Sequence, residues 1–311
     1  MPRSVSTGNE IGGEPRMTRS LLFIGVGRMG SLMAGHLVDS GYDVALADLS
    51  PEALEPFAAS GCPTATTAAD LPGDIVITML PTDAHVREAL LGENGALASR
   101  KRQTVIDMSS VSPEATRSLA AELATYGTTL LDAPVSGGMA GAKTASLIGM
   151  VGGEPDVFAA CQPILEAMCS KVIHVGPVGS GHVVKALNNY LSAATLWTAT
   201  EALTVGTRLG LDPARMLEVW TAGSGRSHAT EVKLPDHVLT RSFDFGQSLK
   251  LFCKDIGIAS DLAAKAGAET PALDALKALW EGARDSIGPE ADITRIASMM
   301  EAMQKGSGGK P

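Results

Sequence analysis

Lys185, Asn188, Asn189 and Ser192 stand at i, i+3, i+4 and i+7 of an otherwise apolar run. In a helix that spacing puts an ammonium, two carboxamides and a hydroxyl on one face. From Val172 to Thr200, Lys185 is the sole formally charged residue if histidine is neutral. A buried ammonium costs several kcal/mol unless it is paired, so the stripe must face a polar cavity or a ligand. The bland alternative is a lysine whose head reaches water at the helix end. An amine of tunable pKa can take a hydroxyl proton as hydride leaves carbon, or return one to a carbonyl oxygen in the reverse direction. Partial burial lowers such a pKa and a bound carboxylate raises it. Lys185 therefore reads as an acid/base, and Asn189, one turn on, as the group that orients it and the substrate oxygen.

Gly25-Val26-Gly27-Arg28-Met29-Gly30 is G-x-G-x-x-G, leaving the apolar run "SLLFI" and opening a helical pattern. In that context the first glycine permits a tight turn, the second lets backbone approach a pyrophosphate, and the third allows close helix–strand packing. Asp48 ends the next strand, where a carboxylate can hold the adenosine ribose hydroxyls and repel a 2′-phosphate. Leu49 follows, where an arginine would welcome that phosphate. The spacing points to NAD rather than NADP. Ser136-Gly137-Gly138 form a small-residue loop at the end of another strand, suited to a carboxylate. The six histidines make no H-x-x-x-H or H-E-x-x-H pattern, so no metal is expected.

Strands and helices alternate through residues 20–178, which predicts a mainly parallel, doubly wound sheet of the Rossmann type. Residues 179–304 read as all helical, entered through one long helix that carries Lys185 near its start, at the seam where ligand clefts often lie. Residues 1–19 and 305–311 are polar and contain Gly, Pro or Ser, and are expected to be a disordered leader and tail.

Net charge is −9, which argues against nucleic acid or an anionic membrane as the main partner. No apolar stretch reaches the ~18 residues of a membrane span. Four cysteines without a C-x-x-C pair read as reduced core thiols of a cytoplasmic protein.

Six blocks in order, "FIGVGRMG", "DMSSVSPEAT", "DAPVSGG", "MVGGEP", "GHVVKALNN" and "KDIGIA", resemble the β-hydroxyacid dehydrogenases, the family of 3-hydroxyisobutyrate dehydrogenase and tartronate semialdehyde reductase. The resemblance spans about residues 20–303. It implies that Lys185 is the catalytic lysine, that Asn189 holds the substrate hydroxyl, and that Ser136, Gly137 and Gly138 bind the substrate carboxylate. It places Leu80, Pro81, Ser109 and Ser110 around the nicotinamide and its ribose. It brings Lys254 from the helical part to cofactor and substrate, though Lys254-Asp255 could also be a solvated pair. It implies a small hydroxyacid or semialdehyde substrate and a homodimer or homotetramer. Imine reductases on this scaffold typically lack the lysine, and non-catalytic relatives replace it. The least generic stretch is "GSGRSHATEVK" (223–233), a connection between helices. There two readings of Arg226 and His228 stay open: an ordinary surface turn or an internal ion pair to Glu231, or a contact with the far end of the substrate or a neighbouring subunit's cofactor.

Overall fold

The computed structural model describes residues 19–99 and 104–306. The expected leader and tail lie outside the described residues, apart from Arg19 and the end of the last helix.

Alternate residues of each short strand face opposite sides of one sheet, and both sides are apolar. In β1 (Leu21–Ile24), Leu21 and Phe23 point to one face while Leu22 and Ile24 point to the other, all buried. Strands of this kind need helices on both faces. The first face is covered by α1 (Arg28–Asp39), α2 (Pro51–Ala59) and α6 (Pro155–Glu166), which bring Met33, Leu37, Leu54 and Ile164. The second is covered by α3 (Asp83–Leu91) and α4 (Pro113–Thr125), with Val86, Leu90, Leu119 and Leu123. Helix starts follow local chemistry. Ser50 caps α2 through the Ala53 N–H, with Pro51 at the first helical position.

The remaining strands are β2 (Val44–Ala47), β3 (Thr64–Ala65), β4 (Ile75–Thr78), β5 (Thr104–Asp107), β6 (Thr129–Asp132), β7 (Val135–Ser136), β8 (Leu147–Gly152) and β9 (Cys169–Gly176). Their order is β3-β2-β1-β4-β5-β6-β8-β7, with β9 paired to β8. The six strands from β3 to β6 are parallel. β8 runs antiparallel to β6 and β7. The two-residue strand β7 and the short helix α5 (Gly138–Lys143) occupy a stretch that reads in the sequence as a loop.

α7 (Ser180–Arg208) leaves the sheet as a 29-residue helix. Asp132, at the end of β6, caps it: one carboxylate oxygen accepts the Gly179 N–H at 2.6 Å and the other the His182 N–H at 2.9 Å. Only glycine fits at 181, because a Cβ there would collide with the Met150 carbonyl oxygen. α7 is thus seated on sheet backbone four residues before Lys185. Around it pack α8 (Pro213–Ala222), α9 (Leu249–Ala266), α10 (Pro271–Ile287) and α11 (Ile296–Gly306), over a core holding Trp197, Phe252 and Trp280. The connection expected after α8 is in fact helical over Ala229–Leu239, wound as a π-helix. Its wider turn and its internal Pro235 defeat a search at a period of 3.6. Among the described residues no helix is long and apolar enough to cross a membrane. Cys161, Cys169 and Cys253 are buried thiols and Cys62 is half-buried.

Candidate functional site

A cleft of about 730 Å³ opens between the C-terminal ends of the sheet strands and the helices. Its first wall is the glycine turn. Gly27, Arg28, Met29 and Gly30 line it, and α1 starts there with no side-chain cap and no acidic residue in its first turn. Gly25 and Val26 lie beneath, buried. A Cβ on Gly30 would collide with the Gly25 carbonyl oxygen, so the turn can close only over glycine. Asp48 does not line the cleft. Its carboxylate accepts the Val26 N–H at 2.8 Å and the Ser50 N–H at 2.9 Å, which ties the end of β2 to the turn.

The next two loops are braced in series. The buried Asp107 carboxylate accepts from Thr78 Oγ1 at 2.8 Å and from the Ser109 N–H at 3.1 Å. Ser109 Oγ in turn accepts the Leu80 N–H at 2.9 Å. Ser109 is fully buried, so its expected place on the cofactor surface is corrected: it sits behind Leu80 and holds it. Leu80, Pro81 and Ser110 do line the cleft. His182, buried at the start of α7, donates from Nε2 to the Ser109 carbonyl at 2.9 Å and pairs through Nδ1 with Thr116 Oγ1 at 2.8 Å. The carbonyl can only accept, which fixes a proton on Nε2. The same helix start therefore positions both the Ser109–Ser110 loop and Lys185.

Opposite stands the stripe on α7. Lys185, Asn188, Asn189 and Ser192 all line the cleft, with Ser136, Gly137 and Gly138 beside them. Asn188 Nδ2 reaches Ser136 Oγ at 3.5 Å. Asn189 Nδ2 donates to Asp255 Oδ2 at 2.7 Å, both residues being buried. Among the described residues no hydrogen bond or ion pair engages the Lys185 ammonium, and it is not sealed from solvent. Burial lowers its pKa, Lys254 adds to the push, and Asp255 opposes it. Asp255 is raised by its own burial, against the pull of Lys254, Lys185 and the Asn189 hydrogen bond.

Lys254 lines the cleft, but its ammonium donates to the Ser110 carbonyl at 2.5 Å and the Pro81 carbonyl at 3.2 Å. It staples α9 to the loops that follow β4 and β5. Arg226 takes the simpler of its two sequence readings. Its Nε pairs with Glu231 Oε1 at 2.6 Å on the surface, and it does not line the cleft, whereas His228 does. The residue that the sequence reading missed is Lys233, a buried lysine on the π-helix whose Nζ donates to Ser192 Oγ at 2.7 Å. The signal was present in "TEVKLPD", a lysine flanked by Val232 and Leu234, as Lys185 is flanked by apolar residues.

A family model described as the NAD binding domain of 6-phosphogluconate dehydrogenase matches residues 20–176. A second, described as the NAD-binding of NADP-dependent 3-hydroxyisobutyrate dehydrogenase, matches residues 179–300. Human mitochondrial 3-hydroxyisobutyrate dehydrogenase is 38% identical over 250 residues, covering 78% of this chain and 74% of that one. The 2-(hydroxymethyl)glutarate dehydrogenase of Eubacterium barkeri is 34% identical over 284 residues, covering 90% and 94%. Among solved structures, the Mycobacterium tuberculosis 3-hydroxyisobutyrate dehydrogenase with L-serine superposes with a TM-score of 0.81 at 31% identity, covering 91% of this chain and 99% of that one.

Proposed function

The chain belongs to the β-hydroxyacid dehydrogenase family, and from that premise we propose that it oxidises the alcohol carbon of a small β-hydroxyacid, or reduces the matching semialdehyde, with Lys185 as acid/base. The activity is that of a nicotinamide-dependent oxidoreductase acting on CH–OH donors. One observation carries the residue assignment. The Lys185 ammonium, without a hydrogen-bond or ion-pair partner among the described residues, opens into a cleft whose other sides are the uncapped start of α1 and the Ser136–Gly138 loop.

The sheet-side wall fits a dinucleotide. Free N–H groups and the positive end of α1 suit a pyrophosphate, and nothing lies within 4 Å of where a Cβ on Gly27 would sit. When bound, the nicotinamide supplies the acceptor or donor of hydride. NAD is favoured over NADP. The Asp48 carboxylate oxygens each keep a lone pair for ribose hydroxyls, and their charge repels a 2′-phosphate. Leu49, 85% exposed, offers no cation to offset that repulsion.

The substrate carboxylate is held by the Ser136 hydroxyl and the Gly137 and Gly138 amides. Its alcohol lies against Lys185, whose neutral amine takes the hydroxyl proton in oxidation; in reduction the ammonium returns a proton to the carbonyl oxygen. Asn189, fixed by Asp255, orients that oxygen. The exposed apolar residues Val184, Leu187 and Leu191 on α7 suit assembly into a homodimer or homotetramer. Free thiols suit a reducing compartment such as the cytoplasm.

The test is a spectrophotometric screen of 3-hydroxyisobutyrate, serine, glycerate, tartronate semialdehyde, threonate and 4-hydroxybutyrate with NAD(H) and NADP(H). Turnover of at least one is expected. Silence across the whole set with both cofactors would sink the proposal.

A further inference from the structure

The acid/base reading leaves a second lysine of the cleft, a buried one, unused. Lys233 is 2% exposed and lines the same cleft. Its Nζ donates to Ser192 Oγ at 2.7 Å and stands 4.9 Å from the centroid of the Phe245 ring. A hydroxyl and a ring face carry no full negative charge. The carboxylate that acts on it, Asp292, already accepts from the Gly246 N–H at 2.7 Å and from the Thr294 N–H and hydroxyl. Among the described residues no ion pair engages Lys233, and two of its three protons have no acceptor. Burial pushes it down to about 8, with Lys185 adding to the push and Asp292 opposing it.

The place of this cation matters. Lys185 comes first along α7, then Asn188 beside the acid-binding loop, then Ser192 beneath Lys233. From Asn188 to Ser192 the helix rises roughly 6 Å. Lys233 therefore lies past the carboxylate loop, away from the reacting end. Charge along the cleft is lopsided as well: Asp255 is the sole carboxylate among the lining residues, against Arg28, Lys185, Lys233 and Lys254.

Resting on the hydroxyacid reading above, we propose that Lys233 and Ser192 form a second anion subsite, so that the preferred substrate is a β-hydroxyacid bearing a further carboxylate. A buried ammonium with no anionic partner is costly to keep charged, and a carboxylate delivered by the substrate offsets that cost. Arg226, which leaves the cleft, has no such role.

The experiment compares kcat/KM for 3-hydroxypropionate, 2-(hydroxymethyl)succinate and 2-(hydroxymethyl)glutarate. The wild type should prefer one dicarboxylate by at least about tenfold over the monocarboxylate. Lys233→Met should lower kcat/KM for that dicarboxylate by at least ~30-fold, mainly through KM, as loss of one partner of a buried charge pair does. The same variant should change 3-hydroxypropionate by less than about threefold, and Lys233→Arg should keep the preference. No wild-type preference, or equal losses on both kinds of substrate, overturns the subsite. Calorimetric binding of glutarate and butyrate separates this inference from the activity it rests on. If no hydroxyacid is oxidised yet glutarate binds over butyrate in a Lys233-dependent way, the activity falls and the subsite stands. If hydroxyacids are oxidised and glutarate binding ignores Lys233, the subsite alone falls.

Discussion

The two walls of the cleft are made of different material. The sheet-side wall is mostly backbone: a glycine turn, the uncapped start of α1, and loops stapled behind the surface by Asp107, Ser109 and His182. The helical wall is side chains drawn from separate helices. Asn189 of α7 is held by Asp255 of α9, and Ser192 of α7 by Lys233 of the π-helix, each at 2.7 Å. Backbone fixes a shape that few substitutions can alter. In the proposed reaction side chains carry the proton and read the substrate, and they can change while the fold stays the same. The first wall is therefore suited to an invariant ligand and the second to a variable one.

If this division holds, damage to the helical wall should strike turnover or substrate binding and spare cofactor binding. Lys185→Ala should lower kcat by ~10²–10⁴ and leave the cofactor Kd nearly unchanged. A variant within about threefold of wild-type kcat would show that the amine is not the acid/base. The pH profile gives a second reading. Oxidation needs the neutral amine, so its rate should climb with pH. Because burial lowers the pKa of Lys185, the climb should end below the ~10.4 of a free lysine. Carbonyl reduction needs the ammonium and should fall over the same range.

The contrast between the walls also governs what could be read from sequence. Backbone sites leave short contiguous motifs, because adjacent residues make them. The glycine turn and Ser136–Gly138 were legible this way, the family resemblance supplied Leu80, Pro81 and Ser110, and all of them meet at one cleft. The alternation of strand and helix was legible because each strand is apolar on both faces. Lys185 was legible because it stands alone in an apolar helix with a regular period. Lys233 has the same apolar flanks but no period to support them, since its helix is π-wound and contains Pro235. The antiparallel β8 escaped because pairing direction depends on a partner distant in sequence. Ser109 was placed one layer too far forward. Its neighbour Ser110 does line the cleft, and a motif does not say which of two serines faces outward.

The sheet-side wall should show the converse pattern, with effects confined to the cofactor. Titrated separately, NADP should bind at least about tenfold more weakly than NAD, a gap of ~1.4 kcal/mol. The cause is the Asp48 charge at the end of β2, held in place by the Val26 and Ser50 N–H groups. Equal affinities, or a preference for NADP, would mean that Asp48 serves only as a brace between β2 and the glycine turn. The backbone wall would then fix the cofactor's phosphates without choosing between its two forms.

The smallest effect is expected from a cation that belongs to neither wall. Arg226 is a surface residue, its side chain 69% exposed, and its ion pair with Glu231 is of the kind worth about 0–1 kcal/mol. The turn it sits on does not depend on it. Thr230 Oγ1 accepts the Ser227 N–H at 2.9 Å, and its one proton is shared between the carbonyls of Gly225 and Ser227. Arg226→Ala should thus leave kcat/KM within about twofold for 3-hydroxypropionate and for the dicarboxylates alike, since an interaction absent from the complex cannot be removed from it. A thermal melt of the variant should differ little from wild type. The informative failure is a rise in KM restricted to the longer acids. It would mean that the ion pair opens on binding and that Arg226 swings into the cleft. The far end of the substrate would then be read by a mobile surface arginine, and the buried Lys233 would lose its claim to that role.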